Sequence, residues 1–258
     1  MPSALIGHTG FVGGNLARQH TFNACFNSKN IEQIQGRNFD LLAISAMPAA
    51  MWIANRDPAA DRAVLDRITG CLRSVRADCV VVMSTVAVYP QSLGVDEETP
   101  IEEASQTPYG RHRLMLERFA AEHFPRVLNV RLPGLFGPGL KKNAIFDLLH
   151  NHETEKVHSG GVFQFYNLNR LWRDVATALH AGLTIVNFAT EPVSVAEAAR
   201  EAFGIEFAND PGTPAARFDM RSKHAALYGG TAGYLYGKAA VLRDMKAFVA
   251  AERMRGAA

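Results

Sequence analysis

A tyrosine and an arginine four positions apart give the clearest chemical signal in the sequence. Tyr109 and Arg113 stand at i and i+4 near the start of a predicted helix, so they share one helix face. A neighbouring cation lowers the pKa of a phenol from roughly 10 toward neutrality, and such a tyrosine can exchange a proton with a carbinol or a carbonyl. Thr85 ends a predicted strand and can orient the same oxygen. We predict Thr85, Tyr109 and Arg113 as catalytic residues, the alternative being a structural pair in a catalytically silent protein.

A glycine-rich turn near the N-terminus gives a second signal. Its three glycines recur at every third position between a predicted strand and a predicted helix. Glycines so placed allow a tight turn, a close approach of the backbone to a pyrophosphate, and close packing of helix on strand. The helix N-terminus adds N–H groups and the positive end of a dipole. The alternative is a turn that binds no ligand. The residues predicted to bind a dinucleotide here are Gly7, Thr9, Gly10, Phe11, Val12 and Gly13.

The end of the second predicted strand bears on the choice of dinucleotide. An acidic residue there would bind the ribose 2′-hydroxyl of NAD, but no carboxylate precedes Glu32 in this loop. Lys29 can instead meet a 2′-phosphate, with Asn27 and Ser28 as hydrogen-bond donors. The loop thus favours NADP(H) over NAD(H), the alternative being a solvated lysine. Further cofactor contacts are expected at Ala46, Met47 and Pro133.

Strand and helix patterns alternate through the first half of the chain. The strand-like runs are almost continuously apolar, which is typical of a parallel sheet covered on both faces. The alternation predicts an α/β protein with a Rossmann-type doubly wound parallel sheet and a small C-terminal substrate-binding portion. The predicted strands are 3–6, 22–26, 39–46, 79–83, 127–132, 162–168 and 184–188. The predicted helices are 11–18, 61–76, 108–124, 171–181, a segment from a capping box at 194–197 to Gly204, and 238–253.

These patterns predict two parts of the chain. Residues 1–135 form the dinucleotide-binding domain, to which strands near 162–190 return, and residues 136–258 form mainly the substrate-binding portion and the last helix. Trp52 follows the third predicted strand and is interpreted as a core residue rather than a wall of the cofactor site.

Composition narrows the possible partners. The chain has 258 residues and a formal net charge of +2, which is too small to indicate nucleic acid or a membrane surface. Three cysteines without a CxxC pair argue against a disulfide framework or a zinc cluster, and no metal site is predicted. No signal peptide and no apolar run of roughly 20 residues is seen. The expectation is a cytoplasmic protein with a small-molecule substrate.

Several motifs in order resemble one family over nearly the whole chain. They are the glycine turn, Thr85 four residues before Tyr89, the Tyr109–Arg113 pair, and the segments 131–139, 163–174 and 185–187. Together they resemble the extended short-chain dehydrogenase/reductases, the NAD-dependent epimerase/dehydratase family. The resemblance implies an NAD(P)-dependent oxidoreductase or epimerase acting on a sugar-like, nucleotide-linked carbonyl or alcohol. The alternative is a non-catalytic NAD(P)-binding sensor or interaction protein of the same fold.

Departures from the family pattern narrow the chemistry. Arg113 replaces the family lysine and keeps the charge, but arginine does not release a proton as lysine can. Gly134 stands where epimerases usually carry an asparagine that contacts substrate. Val86 and Ala87 replace the acidic pair of the 4,6-dehydratases, and Ala87 replaces a cysteine acid/base found in a related branch. The reactions that these departures leave open are carbonyl/alcohol redox and C4 epimerisation through a transient ketone.

The resemblance also implies substrate contacts and an oligomer. Thr85 and Val86 would meet the substrate at the strand end. Asn143 follows the glycine-rich loop where the family begins its substrate segment, and Arg170 stands near a helix start where the family often contacts phosphate, a helix-surface arginine being the alternative. The family often dimerises through two helices, here 61–76 and 108–124, which implies a homodimer.

Overall fold

The main sheet is built from the apolar runs that the sequence predicts as strands. In the computed structural model, which describes residues 2–256, the strands are β1 (Ser3–Ile6), β2 (Ala24–Phe26), β3 (Asn38–Ile44), β4 (Arg76–Thr85), β5 (Val127–Leu132), β6 (Gly134–Phe136), β7 (Val162–Phe163), β8 (Phe165–Asn167), β9 (Ile185–Asn187) and β10 (Val193–Ser194). Six of them form one sheet in the order β2-β1-β3-β4-β5-β9, and the first five pair in parallel. The predicted α/β class is confirmed.

The helices begin at local signals that the sequence carries. Asp57 and Thr107 cap two helices by accepting backbone N–H groups, each followed by a proline at the first helical position. The capping box between Ser194 and Glu197 is present, and that helix continues as a π turn to Gly204, whose φ of 70° ends it. The helices are α1 (Phe11–Gln19), α2 (Met51–Arg56), α3 (Pro58–Leu72), α4 (Pro108–His123), α5 (Ala144–His150), α6 (Leu171–His180), α7 (Val195–Ala198) and α8 (Lys238–Gly256).

The strand order creates a switch point at the end of β1. The chain moves from β1 to β2 on one side and returns to β3 on the other. Because parallel crossovers are right-handed, helices that follow opposite directions lie on opposite faces of the sheet. The helix contacts agree, since α1 packs against α6 while α3 packs against α4. Ligands bind at the carboxyl ends of strands at such a switch point.

The chain divides into two compact units. The first unit comprises the residues up to Gln91, Thr99–Leu132 and Leu171–Val186, and the second comprises Ser92–Glu98, Pro133–Arg170 and the residues from Asn187 onward. The division into a dinucleotide-binding domain and a small substrate-binding portion stays a prediction. Of the expected strands near 162–190, only β9 joins the main sheet.

The core of the first unit lies between the sheet and the α3–α4 helix pair. Alternate residues of β3 and β4 face buried side chains of these helices, among them Leu65, Ile68 and Leu116. Each such side chain contributes about 1.5–3 kcal/mol when fully buried. This packing fixes α4 against the end of β4, where the catalytic residues were predicted.

Among residues 2–256, no helix is long and apolar enough to cross a bilayer.

Two short sheets organise the second unit. β7 pairs antiparallel with β10, and β6 pairs in parallel with β8. The predicted strand 162–168 is interrupted at Gln164, which is 2% exposed. Its Nε2 donates to the carbonyls of Thr190 and Met220 at 2.6 and 2.9 Å, and its Oε1 accepts the Met220 N–H. A side chain thus replaces strand pairing and joins three segments.

Candidate functional site

The glycine turn follows β1 at the switch point, and its backbone leaves no room for side chains. Gly7 has a φ of +90°, and a Cβ there would lie 2.0 Å from the Ser45 carbonyl oxygen. A Cβ at Gly13 would lie 2.1 Å from the Gly7 carbonyl oxygen. Both distances are far below any real Cβ contact. The two glycines therefore allow the close turn and the close helix–strand packing that were inferred from their spacing.

The first turn of α1 is suited to an anion. Gly10 is the N-cap residue, no side chain caps this helix, and no acidic residue occurs in its first turn. The N–H groups at Phe11 and Val12, together with the helix dipole, therefore favour a negatively charged group. Thr9 is exposed in the same turn. A dinucleotide pyrophosphate fits this cradle because the positions that would obstruct it are glycines.

The loop after β2 contains a cation that the sequence reading missed. Asn27 Oδ1 accepts the Lys29 N–H at 2.9 Å, which shapes the predicted 2′-phosphate loop. Arg67 of α3 donates to the Ser28 carbonyl at 2.8 Å and pairs with Glu32 at 2.6 Å. The Arg67 hydrogen bond is the main reason that the pKa of Glu32 is lowered. Arg67 lies 39 residues from Ser28, so no local pattern could reveal this contact.

The segment after β3 differs from the prediction at Trp52. Ala46 and Met47 are partly buried and pack against the core of the first unit. Trp52 was interpreted as a core residue, but it is 59% exposed on α2, which makes that interpretation wrong. The guanidinium of Arg56 lies 4.9 Å from the centre of its ring, so the indole is covered on one face by a cation. The short helix α2 was also not predicted.

The predicted catalytic hydroxyls of Thr85 and Tyr109 meet. Thr85 ends β4, where its Oγ1 accepts the Ala87 N–H at 3.1 Å, and its side chain hydrogen-bonds the Tyr109 phenol. Tyr109 lies in the first turn of α4, and its backbone N–H donates to Asn55 Oδ1 of α2 at 3.0 Å. A Cβ at Gly110 would lie 2.1 Å from the Ala87 carbonyl oxygen. Gly110 therefore permits the close approach that joins the two hydroxyls.

Arg113 is held by protein oxygens. It makes four hydrogen bonds: two to Asp61 of α3, at 2.5 and 3.1 Å, one to the Pro48 carbonyl at 2.5 Å, and one to the Tyr109 carbonyl at 3.2 Å. Its guanidinium carbon lies 3.8 Å from the centre of the Tyr109 ring. The predicted cation–phenol pair is therefore present, but a buried carboxylate that the sequence did not reveal offsets part of the charge of the cation.

The pKa of Tyr109 is raised, not lowered as predicted. Burial disfavours the charged phenolate and is the largest cause. Arg113 and the Thr85 hydrogen bond favour the phenolate, whereas the negative charge of Asp61 opposes it. The prediction was wrong because it counted the cation and not the burial or the carboxylate.

A second buried network supports the end of β4. Ser84 donates to Glu117 of α4, and Arg131 of β5 makes two bonds to the same carboxylate, at 3.1 and 2.7 Å. Arg131 Nη1 also donates to the Tyr89 hydroxyl at 2.7 Å. Burial disfavours the charged guanidinium, but Glu117 outweighs it and raises the pKa of Arg131. The network fixes β4, β5 and α4 around Thr85.

Two residues that were predicted to bind substrate lie in the second unit, where they make hydrogen bonds and an ion pair within the protein. Asn143 caps α5, where its Oδ1 accepts the N–H groups of Ile145 and Phe146 and its Nδ2 donates to the Leu135 carbonyl. Arg170 pairs with Asp244 of α8 at 2.6 Å. Substrate contact by either residue stays a prediction. In the first unit, Val86 is buried in the turn that follows Thr85.

Gly134 has a packing reason for lacking a side chain. Its Cβ would lie 2.7 Å from the Gln164 carbonyl oxygen. An asparagine at this position therefore does not fit without a backbone shift. Pro133, which was predicted to contact the cofactor, is the first residue of this segment of the second unit.

Comparisons with known proteins agree with this arrangement. The model of the NAD dependent epimerase/dehydratase family matches residues 38–182, more than half of the chain. No curated protein sequence matches the chain significantly.

Solved structures of the same fold are similar over almost the whole chain. The NAD dependent NDP-hexosamine 5,6-dehydratase TunA of tunicamycin biosynthesis has a TM-score of 0.75 at 19% identity and covers 96% of each chain. A dTDP-4-dehydrorhamnose reductase from Clostridium acetobutylicum has a TM-score of 0.72 at 16% identity, covering 98% of this chain and 100% of that one. RMD from Pseudomonas aeruginosa, complexed with NADPH, has a TM-score of 0.72 at 16% identity, covering 97% and 98%. At these identities the likeness concerns the fold.

Proposed function

Because the chain belongs to the NAD dependent epimerase/dehydratase family, we propose that it is an NAD(P)-dependent enzyme acting on a sugar-like, nucleotide-linked carbonyl or alcohol. The observation that carries the proposal is the hydrogen bond between Thr85 and Tyr109 beside Arg113. Family membership and the glycine cradle support binding of NAD(P). The similar structures include enzymes of nucleotide-linked sugars, which supports this substrate class.

In the proposed reaction, the chain's own residues transfer a proton and orient the substrate oxygen. Tyr109 exchanges a proton with the substrate oxygen, and Thr85 orients that oxygen through its hydroxyl. Arg113 holds the phenol from its ring face. A bound nicotinamide supplies hydride transfer, the step that no side chain can perform. Fixed positions of the reacting groups contribute much of the rate.

For the cofactor we propose NADP(H) rather than NAD(H). The loop after β2 offers Lys29 and the nearby Arg67 to a 2′-phosphate, and Glu32 offsets part of that charge. TunA is NAD dependent and RMD was solved with NADPH, so proteins of this fold use both. The preference rests on Lys29.

A thermal-shift titration with NADPH, NADH, NADP and NAD tests the cofactor proposal first. A ligand at 100 times its Kd stabilises the native state by about 2.7 kcal/mol. We expect Lys29→Ala to weaken NADPH binding about tenfold and NADH binding little, since one charge contact is worth about 1.4 kcal/mol. Lys246→Ala, an exposed lysine of α8, is the control for net charge. No shift with any dinucleotide would contradict the central proposal.

The glycine cradle has a matched pair of variants. Gly13→Ala should abolish the cofactor-induced shift, because its Cβ would meet the Gly7 carbonyl oxygen at 2.1 Å. Gly14→Ala places its Cβ at an ordinary 3.4 Å from the His8 carbonyl oxygen and should leave binding intact. Equal binding by both variants would mean that the turn is structural only.

The second candidate function is a non-catalytic dinucleotide sensor. The pairing of Arg113 with Asp61 and the raised pKa of Tyr109 favour it, because they make the phenolate, and hence a tyrosine base, harder to form. Turnover separates the two functions. Nicotinamide absorbance with a panel of nucleotide-linked ketoses and sugars would show hydride transfer only in an enzyme. Cofactor binding without turnover across the panel would support the sensor.

A homodimer through α3 and α4 is also proposed. The two helices pack together and carry the site residues Asp61 and Tyr109. Light scattering on the full chain gives the test, and a monomeric mass would contradict it.

A further inference from the structure

Asp61 of α3 is a carboxylate that the structure brings to the predicted catalytic arginine. Asp61 is 5% exposed and Arg113 is 3% exposed. Two hydrogen bonds join them, and His112 Nδ1 lies 2.7 Å from Asp61 Oδ2. In a buried ion pair with this bidentate geometry, each charge offsets part of the other. Arg113 therefore reaches Tyr109 as half of a pair rather than as a lone cation.

The pair is fixed in orientation as well as in charge. The Pro48 and Tyr109 carbonyls accept two further N–H groups of Arg113. Together with Asp61 they hold the guanidinium flat against the Tyr109 ring, with 3.8 Å between the guanidinium carbon and the ring centre. Removing Asp61 would leave a buried guanidinium with only neutral acceptors.

We propose, on the basis of the function proposed above, that Asp61 is a positioning residue that fixes Arg113 on the Tyr109 ring and offsets part of its charge. The neutral phenol of Tyr109 is then the proton donor in carbonyl reduction. Asp61 thereby helps to set the pH above which reduction falls.

The reductive step balances with these groups. The carbonyl carbon accepts a hydride, with its electron pair, from a reduced nicotinamide dinucleotide. The π electrons of the carbonyl move to oxygen, which takes the Tyr109 proton as the phenol O–H bond breaks. A ketone becomes an alcohol, the dinucleotide is oxidised, and water reprotonates Tyr109. Donation needs only the neutral phenol, which is the form that burial and Asp61 favour.

The pH dependence follows from the groups that face Tyr109. These are Arg113 on α4, Asp61 on α3, His112 through Asp61, and the uncharged Thr85 of β4. Below the Tyr109 pKa the proton donor is present, so reduction is maintained up to that pKa and falls above it. Oxidation needs the phenolate and rises as pH increases. Because the pKa is raised, Tyr109 keeps its proton, and with it the ability to donate, over a wider pH range.

The test uses Asp61→Asn, which keeps the shape of the side chain and removes its charge. Tyrosine ¹³Cζ NMR on the full chain follows ionisation, and the Tyr109 signal is assigned by its absence in Tyr109→Phe. We expect Asp61→Asn to lower the Tyr109 pKa by about one unit, which corresponds to about 1.4 kcal/mol. The basic limb of the pH profile of reduction should move to lower pH by the same amount.

Asp66→Asn is the matched control, because it removes the same charge from an exposed position of the same helix. It should leave the Tyr109 signal unchanged. A Tyr109 signal in Asp61→Asn that follows the wild type throughout the folded pH range overturns the proposal. The NMR measurement needs no substrate, so the two proposals can fail separately. A shifted Tyr109 signal without turnover would contradict the proposed function. Turnover with an unmoved Tyr109 signal would contradict the proposed role of Asp61.

A double variant covers failure of Asp61→Asn to fold. Asp61→Leu with Arg113→Met replaces the pair by apolar groups of similar size, a change that proteins often tolerate. We expect its Tyr109 pKa to rise above the wild-type value, because Arg113 favours the phenolate more than Asp61 opposes it. A Tyr109 pKa below the wild-type value would mean that Asp61 acts on the phenol more strongly than Arg113, and the proposal would be wrong.

Discussion

Two buried arginine–carboxylate pairs of the first unit can be compared directly. Arg131 pairs with Glu117 and Arg113 pairs with Asp61, and none of the four residues is more than 5% exposed. Each carboxylate receives two bonds from its arginine. The two pairs are therefore alike in burial and in the two bonds that join arginine to carboxylate. Their effects on the neighbouring tyrosines differ.

The difference lies in the other partner of each phenol oxygen. Both guanidinium groups lie over a tyrosine ring, at 3.8 Å from the ring centre for Arg113 over Tyr109 and 4.9 Å for Arg131 over Tyr89. Arg131 Nη1 donates to the Tyr89 hydroxyl at 2.7 Å, and that tyrosine is 4% exposed. The Tyr109 hydroxyl also meets Thr85 at the end of β4. Tyr89 thus belongs to a buried brace and Tyr109 to the candidate reaction centre.

One helix carries both arrangements. Tyr109, Arg113 and Glu117 follow one another at i+4 intervals along α4 and so share a face. On β4, Ser84 bonds Glu117 while the adjacent Thr85 bonds Tyr109. Variants on this face can therefore separate stability from activity.

The largest effect on stability should come from Glu117→Ala. Arg131 would remain as a buried charge without its partner, which costs about 3–5 kcal/mol in unfolding free energy. Denaturant unfolding measures the loss. Glu122→Ala, an exposed position on the same helix, should change stability by no more than about 0.5 kcal/mol. A loss under about 1 kcal/mol in Glu117→Ala would mean that the brace contributes little.

Phenylalanine substitutions of the two tyrosines should affect different properties, turnover for Tyr109 and stability for Tyr89. Tyr109→Phe should lower turnover at least about 100-fold, the usual contribution of a positioned proton donor, with little effect on stability. Tyr89→Phe should cost about 1–3 kcal/mol of stability, because a buried Arg131 N–H loses its acceptor, and should affect turnover less. Steady-state kinetics and unfolding on both variants give the comparison. A larger loss of turnover in Tyr89→Phe would reverse the assignment.

A smaller loss of stability is expected from Gly110→Ala, at the point where α4 meets the end of β4. Gly110→Ala places a Cβ 2.1 Å from the Ala87 carbonyl oxygen, and such overpacking costs about 1–3 kcal/mol. It should also separate Thr85 from Tyr109 and lower turnover. Gly70→Ala in α3 meets nothing within 4 Å and should stabilise by about 0.5–1 kcal/mol. Unchanged turnover in Gly110→Ala would show that the close approach is not needed.

Local signals in the sequence predicted those structural features whose interacting groups lie within a few residues of each other. The glycine turn and the capping box at Ser194 were read correctly, because the groups involved are at most six positions apart. The apolar runs predicted the main sheet for the same reason. Asp61 was not predicted, since it lies 52 residues from Arg113 and no spacing rule links them.

Residue type alone did not show what several side chains contact. Asn143 caps α5 and Arg170 pairs with Asp244, and their contact with a substrate stays a prediction. Trp52 was interpreted as a core residue, yet it is 59% exposed on the six-residue helix α2, beside Arg56. In each case a neighbour fixed by the fold decided the role. Such neighbours become visible only once the chain is folded.

The crowding at Gly134 limits how this chain could change its substrate. Gly134 pairs in register with Phe165, and its missing Cβ points to the Gln164 carbonyl. Gln164 is in turn bonded to Thr190 and Met220, so its backbone cannot yield alone. Any side chain installed at Gly134 would therefore require changes in the segments that hold Gln164 as well. The side chain at this position thus depends on the segments around Thr190 and Met220, and a single substitution does not change it independently.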